Sequence, residues 1–156
     1  MTVIAGYTDG KTWSIGGDSG AYEDHLYSLS AEPKVWKVGD TLIGVSGSFR
    51  VMEIARKSGL ADPYALRNHL LEAQIGGDWN ILVVTRKSIY EISDDFSVLK
   101  VKENYGSVGM GNAIAMGALA LLAEDKKDSA IAVKSALRVT GKHSTFAVPP
   151  FTVLTL

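Results

Sequence analysis

Apolar and polar positions change their period several times along the chain, and each change marks an element. Residues 2–8 and 11–18 are two β-rich runs (Val3-Ile4-Ala5-Gly6-Tyr7, then Trp13-Ser14-Ile15-Gly16-Gly17-Asp18) separated by Asp9-Gly10-Lys11. Asp-Gly between such runs is a hairpin signal. Residues 19–33 are polar and irregular, with Ser28, Ser30 and Pro33, and predict a loop with at most a short strand. Pro33 drives Glu32 toward an extended shape. Residues 34–38 and 41–46 predict a second hairpin over Gly39-Asp40, in which Val35 and Lys37 alternate with Trp36 and Val38 at the two-residue period of a sheet.

Helical spacing follows. Phe49, Met52, Ile54 and Ala55 predict a helix over 48–58, stopped by Gly59. Asp62-Pro63 is an N-cap with proline at the first helical position, opening a helix over 63–73 with Leu66, Leu70 and Leu71 facing inward. Gly76-Gly77 ends that unit. Strands are predicted at 80–85, 88–92, 98–101 and 105–108. Residues 112–124 are almost wholly apolar or small, the pattern of a helix buried on all sides. Asp128 caps a further helix over 129–140, carrying Ile131, Val133, Ala136, Leu137 and Val139, with Gly141 as its stop, and residues 151–156 form a last strand after Pro149-Pro150. Strands, two helices, strands, two helices and a strand do not suit alternating βαβ units; they suit antiparallel sheets covered by helix pairs, the α+β class.

Composition narrows the function classes. A chain of 156 residues is read as one domain, 1–156, long enough to bury a sizeable core. Its 16 basic and 17 acidic residues are interspersed and leave a net charge of −1, so no footprint for nucleic acid or for an anionic membrane surface is present. No run approaches the roughly 18 apolar residues of a membrane span, and Met1-Thr2-Val3-Ile4 lacks a basic leader; a cytoplasmic protein is expected. Without cysteine there is neither a disulfide framework nor thiolate chemistry. His25, His69 and His143 lack ligand spacing, so no metal and no cofactor is expected. The glycines Gly106, Gly109 and Gly111 lead into a helix, but without dinucleotide spacing or a Walker lysine. Trp13, Trp36 and Trp79 lie in or beside strands and are expected in the core or an interface.

The chemistry centres on Thr2. Methionine before a residue this small is normally trimmed, and Thr2 then carries an α-amine beside its β-hydroxyl. The hydroxyl attacks and the amine accepts its proton; an α-amine titrates near pH ~7.7–8. Asp18 closes the second strand-like run and Lys34 opens the next. Singly they read as an exposed N-terminal threonine, a turn aspartate and a solvated lysine. Jointly they stand at intervals of 16 and 16 residues.

That spacing resembles the proteasome β-subunit and HslV family of N-terminal threonine hydrolases. The turn Asp9-Gly10-Lys11, the run Gly16-Gly17-Asp18-Ser19, the run Leu42-Ile43-Gly44-Val45-Ser46-Gly47 and the glycine turn Gly106-Ser107-Val108-Gly109-Met110-Gly111 extend the likeness over nearly the whole chain. The resemblance implies a four-layer αββα sandwich. It implies a threonine endopeptidase working in a closed homo-oligomeric ring on peptide or unfolded protein, with an ATPase unfoldase as a possible partner. It assigns Thr2 as nucleophile, Lys34, held charged by Asp18, as the cation that lowers the hydroxyl and amine pKa, and the Gly44 N–H as oxyanion donor. Ala21, Glu32, Leu42 and Ser46 are placed around the substrate's P1 side chain, with Glu32 favouring Arg or Lys there over Asp or Glu. Two departures stand out: Met110 occupies a position where the family often has serine, and the stretch Gly141-Lys142-His143-Ser144-Thr145 lacks the family's acid. They leave two other readings, a non-catalytic ring-forming member of the same fold and a small-molecule amidase.

Overall fold

Several strands of this chain are apolar on both faces, so their sheets must be covered twice. The computed structural model describes residues 2–23 and 26–156 and meets that need with four layers. Along the chain these are β1 (Ile4–Thr8), β2 (Trp13–Gly17), β3 (Gly20–Glu23), β4 (Leu26–Leu29), β5 (Val35–Val38), β6 (Thr41–Ser46), α1 (Phe49–Ser58), α2 (Pro63–Glu72), β7 (Asn80–Thr85), β8 (Ile89–Ser93), β9 (Val98–Lys100), β10 (Tyr105–Val108), α3 (Asn112–Glu124), α4 (Ser129–His143) and β11 (Thr152–Thr155). One sheet has the order β10-β1-β2-β11 and the other β5-β6-β7-β8-β9, while β3 and β4 pair with each other. Every pairing among the described residues is antiparallel.

Alternation along the strands sorts the core into three layers. Ile43, Val45, Ile81, Val83 and Ile92 pack against Val51, Met52 and Ala55 of α1 and Leu66 and Leu70 of α2. Val3, Ala5 and Tyr7 pack against Ala115 and Leu119 of α3 and Ala132, Val133, Ala136 and Leu137 of α4. Between the sheets lie Ile4, Ile15, Val35, Leu42, Leu82, Val84, Ile89 and Val108. The fold is therefore the α+β, αββα sandwich that the resemblance implies. Trp36 and Trp79 are core residues; Trp13 packs at the margin of the inter-sheet layer.

Helix starts follow local chemistry. The side chains of Ser48, Asp62 and Asp128 accept from the N–H of Val51, Ala65 and Ile131, and Gly59 ends α1 in the left-handed conformation. Three expectations change. Residues 19–33 contain a hairpin, β3–β4, rather than a loop with at most a short strand. Leu71 is exposed, because the inward stripe of α2 runs through Leu66 and Leu70. Gly141 does not stop α4, which continues to His143; a side chain at Gly141 would meet the carbonyl oxygen of Ala147 at 2.8 Å, so close approach of backbone, not helix termination, explains this glycine. Nor is α3 buried all round. It presents Gly117 and Leu121 outward, and Ile131 and Val139 of α4 are exposed as well. Met1 and His25 lie outside the described residues.

Glu91 supplies a pH-dependent element of stability. It shares a face of β8 with buried Ile89 and has no ion-pair partner among the described residues. Burial pushes its carboxyl pKa above the ordinary value. A carboxyl raised in the folded state costs nothing below its unfolded pKa and destabilises increasingly as pH rises through the folded value. Glu91→Gln is therefore expected to raise Tm at pH 7–8 and leave it nearly unchanged at pH 4, measured by thermal unfolding across that range.

Candidate active site

Three elements bring the spaced residues together. Thr2 precedes β1, Asp18 follows β2, and Lys34 precedes β5 on the other sheet. Pairing of β1 with β2 sets Ile4 opposite Gly17, which puts Asp18 beside the start of the chain. Asp18 Oδ1 accepts from the Val3 N–H at 3.1 Å, and Oδ2 from the Gly20 N–H at 2.9 Å. The Lys34 carbonyl accepts from the Val45 N–H at 3.1 Å, which fixes the lysine backbone against β6.

The three side chains are buried: Thr2 is 5% exposed, Asp18 2% and Lys34 3%. Lys34 Nζ donates to Thr2 Oγ1 at 2.7 Å, to the Asp18 carboxylate at 3.0 and 3.1 Å, and to the Gly20 carbonyl. An ammonium has three protons, and here each has an acceptor direction. Burial is the largest influence on Lys34 and lowers its pKa, while the charge and hydrogen bond of Asp18 oppose that shift. Asp18 thus favours the charged form of Lys34, as expected, but against a larger opposing effect of burial. Lys34 is a desolvated cation that sheds its proton more readily than a surface lysine. As a cation it favours negative charge on Thr2 Oγ1; once neutral it has a lone pair that a hydroxyl proton can reach.

The glycine turn before α3 holds the Thr2 backbone. The Gly111 N–H donates to the Thr2 carbonyl at 3.4 Å, and Gly109, at φ 95°, comes so close that a side chain there would lie 2.4 Å from the same oxygen. Any side chain at Gly109 displaces the candidate nucleophile. Met110 lies between them and is 61% exposed, so its thioether is directed to solvent. The acid-free stretch 141–145 is the end of α4 and its cap; beyond it, Val148 and Pro150 reach the Asp18 turn through backbone carbonyls, accepting from the Ser19 N–H at 2.9 Å and the Ser19 hydroxyl at 2.5 Å.

Gly44 is not at this site. It lies within β6, paired with Val35 on one side and Leu82 on the other, where backbone groups belong to the ladder. Its Cβ position faces Ile4, Val35 and Ile15 between the sheets. Gly47 borders the small space at Thr2 instead, with Lys34, Val45, Ser48, Phe49 and Met52. At φ 93°, and with the Asp78 carbonyl 2.2 Å from where a Cβ would stand, that position admits only glycine. The signal for it was present as the Ser46-Gly47-Ser48 turn that ends the strand.

The expected pocket residues divide. Leu42 is fully buried in the inter-sheet layer and walls no cleft. It does share a face with Gly44, as alternation requires, but that face is the core. Ser46 is buried next to Gly109 and Thr2. Ala21 is half-buried in β3. Glu32 lines a hollow of about 460 Å³ together with Ser30, Phe49, Met52 and Arg56, and this hollow shares Phe49 and Met52 with the space at Thr2. Its carboxylate pairs with Arg56 Nη1 at 2.7 Å. A charge already matched within the chain gives no preference for a basic P1 side chain, and that expectation loses its basis. Phe49 and Met52 entered the sequence reading only as apolar positions of a helix, and Arg56 not at all, because that helix reads as ordinary amphipathic packing. Among the described residues no cluster of histidine or acidic side chains is arranged to hold a metal ion.

No family model matches the chain, and no curated protein sequence matches it. Solved structures do. BPH of Thiobacillus denitrificans matches 99% of this chain and 97% of its own with a TM-score of 0.85 at 14% identity. The same protein in complex with epoxomicin matches 100% and 98%, with a TM-score of 0.85 at 15% identity. The eukaryotic HslV from Trypanosoma brucei matches 99% of each chain with a TM-score of 0.81 at 18% identity. At such identities the likeness speaks for the fold alone, and that fold is the HslV-like sandwich that this chain shares with HslV and BPH.

Proposed function

We propose that the protein is an N-terminal threonine peptidase, with Thr2 as nucleophile after removal of Met1, working as a subunit of a homo-oligomeric ring. One observation carries the reading: a buried ammonium, Lys34, donates to Thr2 Oγ1 at 2.7 Å while Asp18 and Gly20 hold its other protons. A threonine without a catalytic task has no need of a desolvated cation at its hydroxyl, since burying such a charge is costly.

In the proposed reaction the Thr2 hydroxyl attacks the substrate carbonyl. Its proton passes to the α-amine that loss of Met1 exposes, and Lys34 stabilises the developing negative charge on Oγ1. The carbonyl oxygen becomes an oxyanion, for which the Gly47 backbone replaces Gly44 as the proposed donor because Gly47 is the glycine that borders Thr2. Collapse of the tetrahedral species breaks the amide bond, and the leaving amine takes the proton from the Thr2 amine. Water then hydrolyses the ester. Asp18 acts through others: it positions Lys34 and, through the Val3 N–H, the backbone beside the nucleophile.

The ring reading is supported by the outer face of α3 and α4, where Leu121 is 68%, Ile131 59% and Val139 40% exposed. Large apolar side chains exposed on neighbouring helices favour a protein partner. Likeness to HslV makes peptide the first substrate class to test, with an ATPase unfoldase as a further proposed partner. No helix among the described residues is long and apolar enough to cross a membrane. The non-catalytic alternative draws on one feature, Met110, whose exposed side chain gives the terminal amine none of the support that a serine in this turn provides.

Intact-mass measurement followed by incubation with an epoxyketone tests the proposal. The expected result is a chain lacking one methionine residue that gains one inhibitor mass, attached at Thr2. A chain that retains Met1 has an acylated nitrogen and no base, and that result overturns the catalytic reading in favour of the structural one.

A further inference from the structure

The end of β1 opposite Thr2 carries a second concentration of charge. The turn between β7 and β8, the segment after β9 and the residues before β10 enclose a hollow of about 330 Å³. Lys87, Lys100 and Lys102 line it against a single acid, Glu103, in a chain whose overall charge is −1. None of the three ammonium groups is in an ion pair or donates to a side chain among the described residues.

The hollow's frame is held by hydrogen bonds. Asn104 Nδ2 donates to the Thr8 carbonyl at 2.8 Å and the Thr8 N–H to the Asn104 carbonyl at 2.9 Å, while the Val101 N–H donates to the Ile89 carbonyl at 2.9 Å. Arg86, the neighbouring cation, already has partners: it lies over the ring of Trp13, which also lines the hollow, 5.6 Å from the centroid, and is 3.5 Å from Asp40. The cations left for a ligand are lysines alone. Lysine is a compact point charge that serves phosphate groups without fixing a bidentate geometry. The neutral donors nearby are committed, Ser88 Oγ to the Lys87 carbonyl at 2.6 Å and the Asn104 amide to Thr8. Recognition therefore rests on charge. Three cations lining one hollow at the small end of the range for ligand pockets match several linked anionic groups better than one.

We propose that this hollow binds a linear oligophosphate group, either a free condensed phosphate or the phosphate chain of a nucleotide. The site lies at the far end of β1 from Thr2 and does not depend on the peptidase reading.

The test is calorimetric titration of the assembled protein with inorganic tripolyphosphate and, separately, with a nucleoside triphosphate, at constant ionic strength, repeated on Lys87→Glu, Lys100→Glu and Lys102→Glu. These residues are exposed, so the variants are expected to fold, and unfolding curves check this. Saturable binding that weakens about tenfold or more with each reversal supports the site, in line with the strength of charge-assisted hydrogen bonds. Equal affinity for both probes assigns recognition to the phosphate chain alone; tighter binding of the nucleotide assigns it to a nucleotide. Absence of binding, or binding that all three variants retain, overturns the proposal. Failure of the epoxyketone experiment leaves this titration unaffected, because its readout involves no hydrolysis.

Discussion

Thr2→Ala is expected to abolish both peptide hydrolysis and epoxyketone labelling while leaving assembly intact. The substitution removes the one atom that forms the covalent bond, so no residual pathway through the same site remains. It also removes the acceptor that Lys34 Nζ reaches at 2.7 Å, but Asp18 and Gly20 still hold the ammonium, so the fold is not left with an unpaired buried charge. Size-exclusion chromatography should therefore show an unchanged oligomer, and fluorogenic peptide turnover should fall to background. Hydrolysis at the original rate in this variant would show that the nucleophile lies elsewhere.

The second large effect is expected from the Lys34–Asp18 pair, and stability separates it from a simple loss of activity. Lys34→Ala and Asp18→Ala should each lower turnover by about two to three orders of magnitude, the range for losing a group that stabilises developing charge, or the group that positions it. Each also strands its partner. Without Asp18, the Lys34 ammonium stays buried and the Val3 and Gly20 N–H groups lose their acceptor. Breaking a buried pair from one side costs about 3–5 kcal/mol, or a fall in Tm of about 6–20 °C for a chain of this size. The double variant removes both charges. Its Tm should lie above that of either single variant, and its turnover should be little below that of Lys34→Ala, because groups acting as a unit are not additive. Kinetics on a peptide panel and thermal unfolding of all four proteins measure both quantities. Multiplicative losses of turnover would restrict Asp18 to a structural role.

Much of this was legible from local pattern. The cap chemistry of Asp62 and Asp128, the Asp-Gly turn, and the two-residue period of the strands depend on neighbours close in sequence, and these elements stand where the pattern put them. The joint reading of Thr2, Asp18 and Lys34 came from their spacing as the resemblance has it; pairing of β1 with β2 accounts for Thr2 and Asp18, whereas Lys34 arrives from the other sheet. The subsite residues were a different matter. Alternation correctly grouped Leu42 with Gly44 on one face of β6, yet nothing in a strand's own sequence says whether an apolar face meets a cleft or a second sheet. Glu32 was assigned a free charge because its partner Arg56 is 24 positions away on α1.

By itself, then, the sequence determined most of the secondary elements and the α+β class, both consequences of short-range geometry and of apolar periodicity. Tertiary packing decided the rest. It buried Gly44 against Ile4 and Ile15 and set Gly47 at the border of the small space beside Thr2. It converted Gly141 from a helix stop into a contact, and it left the outer face of α3 uncovered where composition alone predicted burial. It also lowered the Lys34 pKa, because desolvation depends on how many layers surround an ammonium and not on the residues beside it in the chain.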